Sequence, residues 1–118
     1  MKVGFVQNDP PFGEVAKNLE HVVRVLSGQN ADLFVLPELF TTGYQFVSRE
    51  EAFELGENIP DGKTSQALLK LAKKIGSVIV AGIAEREGDA VYNSALIVGP
   101  DGYIGRYRKA HLFDTEKE

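Results

Sequence analysis

The sequence predicts an α/β fold, a mixed sheet with helices on one face, and three observations carry that expectation. Two segments repeat apolar residues at helical spacing, two others are continuous apolar runs without alternation, and the C-terminal third places apolar stretches on either side of a Gly-Pro-Asp-Gly turn. The resulting order is β-α-β-α-β-β-β with no internal repeat, low-complexity tract or linker, so residues 1–118 read as one unit.

The first strand is Lys2 to Gln7, closed by Asn8-Asp9-Pro10-Pro11, where two prolines remove successive backbone donors. From Glu14 to Ser27, Val15, Leu19, Val22, Val23 and Leu26 fall on one helical face, and Gly28 stands at the C-cap position. Leu33 to Leu36 is apolar at every position, as in a strand buried on both faces, and Pro37 closes it. Residues 41–61 read as a loop-rich excursion with a short helix around Arg49 to Leu55. A second helix follows, capped by Thr64 or Ser65, burying Leu68, Leu71, Ala72 and Ile75, and closed by Gly76. Val78 to Ala84 is another buried-type strand, and Val91 to Val98 with Tyr103 to Arg108 form a hairpin around Gly99-Pro100-Asp101-Gly102.

Composition narrows the function. With 43% hydrophobic and 25% charged residues the chain suits one globular domain with a modest core. A net charge of −4, with lysines grouped only at Lys70, Lys73 and Lys74, offers no footprint for nucleic acid. No apolar run approaches membrane-spanning length, and the absence of cysteine removes a disulfide scaffold, so a cytoplasmic protein is expected.

Glu38 stands where an apolar strand stops. A carboxylate there is partly desolvated, and desolvation raises its pKa toward that of a general base; the plainer alternative is a solvated loop carboxylate. Lys109 follows the last strand and Glu116 lies in a charged tail; taken singly, these read as a solvated lysine and a frayed terminus. His111 reads as a structural histidine in a turn, and Asn93 as a side chain satisfying backbone groups. Tyr44, six residues beyond Glu38, is a candidate substrate contact.

Taken together, Pro37-Glu38-Leu39-Phe40 with Thr42-Gly43-Tyr44, Tyr92-Asn93-Ser94-Ala95, Gly102-Tyr103 and Arg108-Lys109-Ala110-His111-Leu112-Phe113 give the whole chain a resemblance to the nitrilase superfamily of carbon-nitrogen hydrolases. That resemblance implies an α-β-β-α sandwich, of which residues 1–118 would be the N-terminal portion, a single incomplete domain. It implies Glu38 as general base, Lys109 as the cation that stabilises the tetrahedral intermediate, and Glu116, seven residues on, as a substrate-positioning glutamate. The family nucleophile is a cysteine downstream of the lysine motif, and this sequence has none; Ser27, Ser48, Ser65, Ser77 and Ser94 are not credible substitutes. A thiol near its ordinary pKa needs a base and a cation beside it, which Glu38 and Lys109 would supply without metal or organic cofactor.

The expectation is therefore the N-terminal part of an amidase acting on a small amide or nitrile, inactive alone. It would associate as a homo-oligomer or with a complementing C-terminal segment. The alternative, from another class, is a non-catalytic remnant or partner-binding module that uses an uncovered sheet face.

Overall fold

The computed structural model describes residues 1–5, 14–36 and 53–111, with backbone alone at 110 and 111. Its elements are β1 (Val3–Phe5), α1 (Val15–Ser27), β2 (Leu33–Val35), α2 (Lys63–Ile75), β3 (Val78–Glu87), β4 (Ala90–Gly99) and β5 (Gly102–His111). The five strands lie in sequence order in one sheet; β1, β2 and β3 are parallel, and β4 and β5 are antiparallel to their predecessors. The mixed sheet and the seven-element order agree with the sequence-based expectation. Among the described residues no helix is long and apolar enough to cross a membrane.

Both helices cover the same sheet face. Leu19, Val22 and Leu26 of α1 and Leu68, Leu71 and Ala72 of α2 form one cluster with Phe34, Ile79, Ala81, Leu96 and Val98. Alternation sends the intervening strand residues the other way. On that side, which no helix among the described residues covers, Phe5 is 69% and Tyr107 67% exposed, with Val3 and Val35 also open. The β2 run looks doubly buried in sequence, but in the described chain only its helix side is covered: Phe34 is buried and Val35 exposed.

The start of α2 departs from expectation. Thr64 and Ser65 do not cap it; Gly62 holds the N-cap position, and Glu57 supplies the missing acceptor. The Thr64 backbone N–H donates to Glu57 Oε1 at 2.6 Å and the Thr64 hydroxyl to Oε2 at 2.6 Å. A Cβ on Gly62 would sit 2.6 Å from the Asn58 carbonyl oxygen, so the chain cannot carry a side-chain cap there. Gly76 ends α2 in the left-handed region at φ 69°, where glycine escapes the Cβ penalty. Gly28 ends α1 at φ −95° and uses no such freedom.

Residue 57 also extends the sheet. Its N–H donates to the Ala84 carbonyl and its carbonyl accepts from Arg86, so it pairs β3 where β2 has ended. The short helix expected around 49–55 is seen at residues 53–55, and its earlier part lies outside the described residues. β3 and β4 run on past their sequence-based ends and meet at a two-residue turn, Gly88-Asp89.

Leu68→Ala, at a fully buried position between helix and sheet, is expected to lower the free energy of unfolding by about 2–5 kcal/mol. Glu57→Ala is expected to cost about 1 kcal/mol through loss of the α2 cap. Urea unfolding followed by circular dichroism measures both.

Candidate functional site

The end of the sheet where β1, β2, β3 and β5 all finish is where the candidate residues gather in sequence. Glu38, Tyr44 and Glu116 lie outside the described residues. Lys109 is inside β5 rather than after it, because the strand continues to His111. His111 likewise belongs to the ladder, opposite Tyr92, and not to a turn.

Lys109 occupies a special place in that ladder. Ser94 pairs with Arg108 and Asn93 with Ala110, which leaves Lys109 as the extra residue of a β-bulge. Bulges re-aim a side chain and are frequent beside active sites. Lys109 is exposed. Asn93, opposite the bulge, has its Oδ1 buried with no hydrogen-bond partner among the described residues.

The helix side of the same strands holds a charged cluster. Glu85 is fully buried, at 0% exposure. Ser94 Oγ donates to its Oε1 at 2.6 Å and Arg106 Nη1 to its Oε2 at 2.6 Å. Arg108 grips both oxygens, Nε to Oε1 at 3.0 Å and Nη2 to Oε2 at 2.8 Å. The Arg108 guanidinium lies 4.0 Å from the centre of the Tyr92 ring and also meets Glu87, while Arg106 donates to the Ile59 carbonyl at 3.2 Å. Two carboxylates thus face two guanidiniums, and the carboxylate most hidden from water has the most donors.

Burial pushes the Glu85 carboxyl up, but hydrogen bonds from Arg108 and Ser94 and the charges of both arginines outweigh it, so its pKa falls below the ordinary 4.5. Arg108 is raised above its usual range, chiefly by its hydrogen bonds to Glu85 and Glu87. Glu85 and Arg106 were not candidates from sequence. The signal was present, since Glu85 continues the core-facing alternation Ile79, Ala81, Ile83 with a charge.

A folded-state pKa below the unfolded one means that Glu85 stabilises the fold above pH 4.5, and that this contribution is lost as pH falls through the lowered value. Glu85→Gln is expected to flatten the acid limb of a stability-against-pH curve while leaving its neutral-to-alkaline shape unchanged. Glu85→Ala, which leaves two guanidiniums without their shared carboxylate, is expected to cost about 3–5 kcal/mol near neutral pH in denaturant melts.

Comparison with known proteins places this geometry. A carbon-nitrogen hydrolase family model matches residues 2–118. The chain is 51% identical to a nitrilase of Pyrococcus abyssi (strain GE5 / Orsay) over 99% of its own length and 46% of that protein. It is 37% identical to the 2-oxoglutaramate amidase of Bacillus subtilis (strain 168), over 98% of its length and 45% of the relative. The crystal structure of an N-terminal amidase superposes with a TM-score of 0.85 at 28% identity, covering 98% of this chain and 29% of the other. A CN-hydrolase superfamily protein from Xanthomonas campestris, crystallised with an arsenic adduct in its active site, gives a TM-score of 0.78 at 31% identity over 95% of this chain and 41% of the other. The chain therefore spans somewhat under half the length of these curated relatives.

Proposed function

The chain belongs to the carbon-nitrogen hydrolase family, and we propose that it is the N-terminal part of an amidase, supplying base and cation to a cysteine that lies outside these 118 residues. The observation that carries this reading is the place of Lys109, the extra residue of a bulge near the carboxyl end of β5. That strand runs parallel to β2, whose own carboxyl end leads into the segment bearing Glu38. The family match spans both residues, and relatives named as amidases and a nitrilase support the reaction class.

In this reading Glu38 takes the thiol proton as sulfur attacks the amide carbon, and the Lys109 ammonium faces the oxyanion that forms. Collapse expels ammonia, which takes the proton from Glu38, and leaves a thioester. Water, deprotonated by Glu38, then attacks the thioester, and the thiol departs with its proton restored. Glu116 orients the substrate and Tyr44 lines its pocket. Small amides are the proposed substrates, and a cytoplasmic location belongs to the same proposal.

The open helix-free face, with Phe5 and Tyr107 largely exposed, supports association with a complementing C-terminal segment or a second copy. It equally favours the second reading, a non-catalytic module that binds a partner there.

The experiment is to purify the natural protein from its own source, weigh it intact and assay ammonia release from small primary amides. A mass well above that of 118 residues, with Glu38→Gln and Lys109→Ala each lowering kcat by about 10²-fold or more, is the expected result. Undiminished hydrolysis with Gln at position 38 would remove the base assignment. A mass equal to 118 residues with no ammonia release would favour the partner-binding module. The isolated 118-residue polypeptide is expected to release no ammonia above a blank.

A further inference from the structure

We infer that Asn93 is a specificity-determining residue of the site: its Oδ1 accepts a hydrogen bond from an N–H of the substrate's carboxamide. The inference rests on the reading of the chain as part of an amidase and deepens it, by naming the group that tells an amide from an ester or a nitrile.

Asn93 sits where the sheet has room for a ligand. On β4 it pairs with Ala84 of β3 and with Ala110 of β5, near the carboxyl ends of both strands and beside the bulge that contains Lys109. The β3–β4 ladder is regular here, so alternation sets its direction. Tyr92 and Ser94 turn toward Arg108 and Glu85 on the helix side, and Asn93 turns the other way. The positions around it on that face are small. Ala84 lies directly opposite and Gly82 pairs with Ala95, which gives a shallow floor beside a polar side chain. Tyr107, paired with Ala95, stands at its edge.

The side chain itself is the second observation. Asn93 Oδ1 is buried, and no donor among the described residues reaches it, whereas the neighbouring Ser94 is engaged by Glu85. A buried acceptor left unpaired is costly, so its retention calls for a donor that arrives from elsewhere. Asn93 as a whole is only partly buried, and a ligand can therefore approach it.

A carboxamide supplies that donor. One of its N–H bonds, held by Oδ1, fixes the leaving nitrogen and with it the plane of the group to be attacked. An ester oxygen or a nitrile nitrogen has no hydrogen to give. Either would leave the Asn93 oxygen buried and unpaired, which is how a polar site rejects an analogue that an apolar lining would accept.

The test replaces Asn93 in the natural protein by leucine, an apolar side chain of nearly the same shape, and in parallel by alanine. Hydrolysis is followed with butyramide and with 4-nitrophenyl butyrate, which share an acyl group but differ in whether the leaving group carries N–H. In both variants the ratio of kcat/KM for the amide to that for the ester is expected to fall by about tenfold or more. The urea midpoint is expected to hold or rise in Asn93→Leu, because the change removes an unsatisfied acceptor rather than a bond. An unchanged ratio, a parallel fall with both substrates, or a midpoint lowered in both variants overturns the inference; the last result would mean that a protein group donates to Asn93. A midpoint lowered by leucine alone reports its extra branch, and the alanine ratio then decides. The amidase reading fails separately, if the natural protein releases no ammonia from butyramide or if Glu38→Gln hydrolyses it undiminished.

Discussion

A carboxylate withdrawn from water costs several kcal/mol unless its oxygens are satisfied, and the arrangement around Glu85 meets that demand with residues drawn from the whole C-terminal meander. β3 provides the acid, β4 provides Ser94, and β5 provides both guanidiniums. On the helix side of β5 stand Arg106 and Arg108, paired with Leu96 and Ser94 of β4. The last strand is therefore attached to the sheet as much by charge as by apolar burial. The segment before α2 is tied into the same cluster, because Arg106 also holds the Ile59 carbonyl. The charge cluster sets the position of β5, and β5 carries the lysine.

The sequence announced the regular elements well wherever burial was one-sided or complete. Helical spacing placed α1 and α2 nearly to the residue, and unbroken apolar runs placed β2 and the first part of β3. What escaped was fixed by partners remote in sequence. Glu57 caps α2 from seven residues before Thr64, a relation no local capping rule describes. The polar run Glu85-Arg86-Glu87-Gly88-Asp89 looks like a loop, yet two arginines about twenty residues later turn its first part into strand.

The candidate site was legible as a motif and only partly as geometry. Lys109 stood out beside Arg108 in sequence, but nothing local says that it is the surplus residue of a bulge, since the one-residue offset exists only relative to β4. Arg108 drew notice only as the neighbour of that lysine, whereas the fold gives it the larger mechanical part. Lys109 itself lies near the carboxyl end of β5, which runs parallel to β2.

Strand order has a consequence for how the chain acquires its shape as it is made. β3, β4 and β5 are joined by tight turns and pair only with their sequence neighbours, so their contacts close short loops and can form quickly. β1 and β2 leave the ribosome first and have only each other's three-residue ladder until β3 emerges some forty residues later. Nucleation thus runs against the direction of synthesis. For that interval the β2 edge that will meet β3 is open, and a chaperone's earliest task would be to shield it.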